Sequence, residues 1–108
     1  MKSHFYRVIW KGRILPGKTE EYITRHDNIW PEMVKDLKSQ GISNYSIFLS
    51  GDELIGYYEC EDIETLKRIK MSSTVARRWA ESMTGIVEFE KESDGVTNRV
   101  FKQVFYLA

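Results

Sequence analysis

Hydrophobic spacing changes period at Pro16-Gly17, and that change, repeated later in the chain, limits what the chain can fold into. Before it, Tyr6, Val8 and Trp10 alternate with Arg7, Ile9 and Lys11 within Phe5–Ile14, the period-two signature of a strand. Pro16-Gly17 ends that run. From Thr19 onward Tyr22, His26, Ile29 or Trp30, Met33 and Leu37 recur at helical spacing. Thr19 is placed to cap this helix, and Glu20 and Glu21 suit its positive N-terminal end. Pro31 lacks a backbone donor, so a kink or break is expected between Asp27 and Trp30. A second helix then runs to about Ser39, closed by Gly41.

Asn44–Leu49 and Leu54–Cys60 are rich in aromatic and β-branched residues and flank a hairpin turn at Ser50-Gly51-Asp52. Asp62 caps a short helix bearing Ile63, Leu66 and Ile69. Ser73 or Thr74 caps another, with Val75, Trp79 and Met83 on one stripe, and Gly85 ends it. Lys91–Asn98 is polar and reads as a loop, and Val100–Leu107 reads as a final strand. The order β-α-β-β-α-β is that of a ferredoxin-like α+β fold, an antiparallel sheet with helices on one face. Tyr6, Trp10, Tyr45, Phe48, Tyr57, Tyr58, Phe105 and Tyr106 are too many aromatics for a solvated sheet face. A homodimer with its sheets packed face to face is therefore expected.

Composition narrows the function classes. A chain of 108 residues fits a single domain spanning 1–108, and 42% apolar residues suffice for one core. Sixteen basic residues balance sixteen acidic ones. That argues against a nucleic-acid footprint and against electrostatic attachment to a membrane. Cys60 is the sole cysteine, which rules out an internal disulfide. With no signal-peptide pattern in Met1–Phe5 and no apolar run near the ~20 residues that span a bilayer, a cytoplasmic protein is expected. His4, His26 and Cys60 are widely separated and lack metal-site spacing, so no metal is expected.

Among these residues His26 is the candidate proton-transfer group, because a free histidine titrates near pH ~6.5 and both gives and takes protons near neutrality. Tyr22, four residues earlier, shares its helical face. From spacing alone, packing is the better explanation of both. The same holds for Trp79, whose stripe reads as ordinary core; its other reading is a flat apolar floor for a ligand. Tyr45 offers either a hydroxyl to a ligand or a cross-strand packing partner. Arg77 and Arg78 point to different helix faces with no glycine-rich loop nearby, so they do not read as a phosphate site.

The blocks taken together say more. Residues 20–33, EEYITRHDNIWPEM, closely resemble the EEYxxRHxxIWPEL-like block of the L-rhamnose mutarotase family. NYSIFL (44–49) is similar to that family's NYxIxL strand, RWAESM (78–83) to its RWxxxM helix, and VFYL (104–107) to its ending. The resemblance implies a dimeric α+β barrel with no cofactor and no metal, interconverting the α and β anomers of a 6-deoxyhexose. It implies that His26 is the proton donor and that Tyr22, Tyr45 and Trp79 contact the sugar; the helical pairing of Tyr22 with His26 adds the expectation that Tyr22 shares the catalytic work, by orienting the sugar or relaying a proton. Many members carry a second tryptophan where this chain has Ala80, which leaves the sugar open between L-rhamnose, L-fucose and another sugar.

Mutarotation suits so sparse a site. Hemiacetals open and close spontaneously in water, and one placed acid–base group supplies about 10²- to 10⁴-fold. The rival readings are a cofactor-independent monooxygenase of the same fold, its cavity lined by Trp10, Trp30 and Trp79, and a non-catalytic binding module.

Overall fold

The computed structural model describes residues 5–93 and 95–108. The elements are β1 (Tyr6–Ile14), α1 (Thr19–Asp27), α2 (Pro31–Ser39), β2 (Ile42–Ser50), β3 (Glu53–Cys60), α3 (Ile63–Ser72), α4 (Thr74–Ser82), β4 (Val87–Phe89) and β5 (Arg99–Phe101). The sheet order is β2-β3-β1-β4, with β5 also on β1, and every pairing is antiparallel. Each helical position of the ferredoxin-like order is filled by a pair of short helices. Pro31, at the first turn of α2, divides the first pair; there its missing N–H costs nothing. Ser73 divides the second, serving as the C-cap of α3 and accepting from the Ala76 amide as the N-cap of α4.

The fourth strand departs from the sequence-based expectation. It is divided into collinear halves along one edge of β1: Val87–Phe89 pairs with Gly12–Ile14, and Arg99–Phe101 with Arg7–Ile9. Glu90 still donates to the Lys11 carbonyl at 2.8 Å, and the described residues between it and Arg99 lie off the edge. The expected strand Val100–Leu107 therefore stops at Phe101. With Phe101 opposite Arg7, only Tyr6 of β1 lies beyond that point, so residues 102–108 have little of β1 to pair with. A second correction concerns α1, whose N-cap is Lys18 with no side-chain cap bond; Thr19 is the first helical residue.

The sheet's inner face and the helices form the core. Val8, Trp10 and Ile14 from β1 meet Leu54, Tyr58 and Cys60 from β3, covered by Tyr22, Leu66, Met83 and Ile86. A bulge in β2 sets which residues face inward. Ser43 pairs with Glu59 and Ser46 with Tyr57, so Asn44 and Tyr45 together oppose Tyr58. Asn44 takes a left-handed φ of 49°, which asparagine tolerates, and its amide donates to Glu59 Oε1 at 2.7 Å. The extra residue shifts the alternation, so Tyr45, Ile47 and Leu49 share a side with Ile42. The β2–β3 hairpin turns at Gly51-Asp52, with positive φ at the first turn residue only, the pattern of a II′ turn.

The aromatic residues divide between the two faces. Trp10 and Tyr58 lie under the helices, while Phe48, 61% exposed, stands on the outer face, and Phe105 and Tyr106 lie outside any strand. No helix among the described residues is long and apolar enough to cross a membrane.

Candidate active site

A cavity of about 690 Å³ opens between the inner sheet face and the helices, a size that suits a small ligand. Tyr22, His26, Tyr45, Trp79 and Ala80, the five residues singled out by sequence, all border it. They come from three elements: α1 supplies Tyr22 and His26, β2 supplies Tyr45, and α4 supplies Trp79 and Ala80.

The one-turn spacing of Tyr22 and His26 on α1 brings their rings into a stack, with centroids 4.3 Å apart at 30°. Tyr22 is 5% exposed. His26 Nδ1 lies 2.9 Å from the main-chain oxygen of Tyr22. A carbonyl oxygen only accepts, so Nδ1 carries the proton and donates it. Nε2 is left as the nitrogen a ligand can use, as lone pair in the neutral ring or as N–H in the cation. The helix itself thus sets the tautomer.

Trp79 meets His26 edge to face, centroids 5.4 Å apart at 87°, and Trp30 meets Trp79 in the same way at 5.1 Å and 89°. Behind them Arg78 lies over the Trp30 ring at 5.4 Å and donates to Glu32 at 2.8 Å. Arg25, beside His26, donates to the Ser82 carbonyl at 2.9 Å and to Glu21 at 2.8 Å. Its guanidinium thereby satisfies a free carbonyl at the end of α4. The 20–33 and 78–83 blocks are therefore two halves of one bracket. Arg25 and Glu32 hold α1 and α2 against α4, and His26, Trp30 and Trp79 are the rings held between them.

On the sheet side, Tyr45 and Tyr58 lie 5.1 Å apart, and the Trp10 indole donates to the Tyr45 hydroxyl at 2.8 Å. Tyr45 stays partly exposed along its strand, but its hydroxyl sits inside the cavity. Burial raises its pKa, against the Trp10 N–H, which lowers it. Burial also raises the pKa values of Tyr22 and Tyr58, and the proximity of Tyr45 adds to both shifts. All three phenols therefore keep their protons at neutral pH.

Several cavity residues were not singled out as binding residues from sequence. Tyr58 shares the inward parity of Leu54, so strand alternation could have found it. Lys70 reaches the cavity from the end of α3, where burial lowers its pKa, and Thr97 and Asn98 reach it from the 90–98 segment. No periodicity marks those three. Among the described residues no group of three or more His, Cys, Asp or Glu could hold a metal ion; His4 lies outside them.

Comparison with known proteins bears on this cavity. The sequence model of the L-rhamnose mutarotase family matches residues 7–107. An L-rhamnose mutarotase of Listeria monocytogenes is 39% identical over 97 residues, covering 88% of this chain and 91% of that protein. One from Bacillus subtilis is 43% identical over 93 residues, covering 83% and 86%. Among solved structures, an L-rhamnose mutarotase from Formosa agariphila superposes with a TM-score of 0.68 at 23% identity, covering 98% of this chain and all of that one. At that identity the likeness speaks for the fold.

Proposed function

The chain belongs to the L-rhamnose mutarotase family, and we propose that it interconverts the α and β anomers of L-rhamnose in the cavity around His26. The fold does not select this chemistry, since one fold hosts many. What supports it is the family match together with the His26 geometry: one imidazole nitrogen committed to the Tyr22 carbonyl and the other left for a ligand.

In this reading, the His26 Nε2–H protonates the ring oxygen as the C1–O5 bond breaks. The anomeric hydroxyl loses its proton to water, giving the open aldehyde. Rotation about C1–C2 and attack by the C5 hydroxyl on the other carbonyl face close the opposite anomer; the C5 hydroxyl proton returns to Nε2 and the carbonyl oxygen takes a proton back from water. One proton is delivered and one released in each direction, so the cycle consumes no external acid. Tyr22, held neutral by burial, is no base; its hydroxyl orients the sugar by donating to it. Tyr45 donates from the sheet side, and the Trp79 ring takes the sugar's C–H face. Ala80 leaves open space where a second ring would stand. The test is a panel of anomer-exchange rates by saturation-transfer NMR across L-rhamnose, L-fucose, D-glucose and D-galactose. L-rhamnose should exchange fastest; no acceleration on any of the four would overturn the reading.

The whole chain, 1–108, serves in this account as one mutarotase domain working as a homodimer in the cytoplasm. For the dimer, the outer sheet face carries Ile9, Phe48, Ile55, Tyr57 and Phe101, with Phe48, Ile55 and Phe101 exposed. The tail Val104–Leu107 adds further exposed apolar area. Uncovered patches of this kind mark contact surfaces. Light scattering after size exclusion should give twice the chain mass, and Phe48→Lys should yield monomer; a wild-type monomer at micromolar concentration would contradict the dimer. For the compartment, the lone thiol of Cys60 is buried and unpaired, which suits a reducing environment.

A further inference from the structure

Trp10 lies on β1 and Tyr45 on β2, with β3 between them, so their strands are about 10 Å apart, two strand spacings, and Tyr45 is offset a further two residues from Ile47, which aligns with Trp10 through Gly56. Their side chains nonetheless meet, the indole N–H donating to the phenol oxygen at 2.8 Å. The indole reaches that far by lying across β3 at Gly56, the residue paired with Trp10 in the register. A Cβ at Gly56 would fall within the indole, against Cε2 and Nε1, so only glycine leaves the path open. Phe89 braces the indole from the other side, edge on, at 5.2 Å and 80°. Trp10 is 5% exposed. The β2 bulge, in turn, is what aims Tyr45 inward to meet it.

A phenol has one proton and accepts through its oxygen. Here the indole occupies an acceptor position, and no protein group among the described residues takes the Tyr45 proton. That proton is directed away from the indole, into the cavity, and a donor that itself accepts a hydrogen bond is a stronger donor. We propose that Trp10 is a positioning residue for the reaction: its indole N–H fixes the rotation of the Tyr45 hydroxyl so that Tyr45 donates to a sugar oxygen, with Gly56 giving the indole its path. This rests on the mutarotase reading. Trp10 acts through Tyr45, and its N–H has no other function in the site.

The test is a double-mutant cycle on L-rhamnose exchange, with an NMR signature beside it. Trp10→Phe and Tyr45→Phe should each lower kcat/KM by roughly tenfold, the value of one hydrogen bond to the substrate. Trp10→Phe added to Tyr45→Phe should cost less than about twofold more. Benzothienylalanine at position 10 keeps the ring shape and removes only the N–H; it should match Trp10→Phe, which separates lost positioning from lost packing. In ¹⁵N-labelled protein, the Trp10 indole resonance should shift on addition of L-rhamnose in the wild type and stay still in Tyr45→Phe. Independent, multiplying losses in the double mutant, or full activity with benzothienylalanine, would overturn the role of Trp10 alone. A wild-type protein that accelerates no anomer exchange would overturn the mutarotase reading, and this role with it.

Discussion

His26 donates its Nδ1 proton to the main-chain oxygen of Tyr22, one helical turn back, at 2.9 Å. The partner is backbone, so the orientation of the imidazole is written into α1 and survives any change of the Tyr22 side chain that keeps the helix. Tyr22→Phe should leave His26 in place and remove only the hydroxyl. It should therefore lower kcat/KM modestly, by roughly tenfold. A loss as large as that of His26→Ala would mean that the phenol, not the imidazole, carries the proton.

Trp79 touches His26 edge on and faces the cavity, so its loss removes a stacking surface before it removes chemistry. Trp79→Ala should raise KM for L-rhamnose by roughly tenfold with a smaller change in kcat. An unchanged KM with a collapsed kcat would contradict the stacking role.

Ala80 borders the cavity beside Trp79. Ala80→Trp should restore a second ring to the wall and lower KM for L-rhamnose by about three- to tenfold. If KM is unchanged for every sugar in the panel, position 80 does not shape the pocket.

The 20–33 block was legible as a specific unit before its physical sense was. Its residues divide between cavity lining (Tyr22, His26) and bracing (Arg25, Glu32), and spacing alone does not separate the two. Arg25→Met keeps the aliphatic stem but removes the bond to the Ser82 carbonyl. Its guanidinium is partly exposed, so the loss in urea-denaturation stability should be about 1 kcal/mol. The solvated Arg78–Glu32 pair should cost less when broken, roughly half that. Equal losses would argue that the Arg25 bond is no special brace.

Hydrophobic period marks β1 and all four helices, aromatic and β-branched content marks β2 and β3, and the missing donor of Pro31 marks the break, because each of these elements carries enough residues to set a pattern. None of these signals marks β4, which has three residues, or the shortness of β5, whose limit is the start of β1 rather than anything in its own sequence. The bulge at Asn44-Tyr45 was likewise hidden. Strict alternation through NYSIFL places Tyr45, Ile47 and Leu49 on one face, but does not show that they share it with Ile42 and Tyr58. The Trp10–Tyr45 bond crosses an intervening strand and depends on a glycine 46 positions along the chain from Trp10. Only the assembled sheet brings those three together.

Burial raises the folded-state pKa of Tyr22 and Tyr58 above the ordinary tyrosine value of 10.0. The stability this provides is complete below pH ~10, where both states hold the protons. It declines above that, as the unfolded chain releases protons that the folded chain keeps. Thermal midpoints should therefore fall steeply above pH ~10, and the fall should be shallower in Tyr22→Phe. A midpoint independent of pH across that range would show that the phenols are not desolvated.

The central claim is that a single imidazole in this cavity carries the proton. Saturation-transfer NMR on L-rhamnose, comparing wild type with His26→Ala at matched folded concentration, tests it directly. Exchange well above the spontaneous rate is expected for the wild type, with a loss of about 10²- to 10⁴-fold in the variant. Wild-type exchange rates in His26→Ala would contradict it.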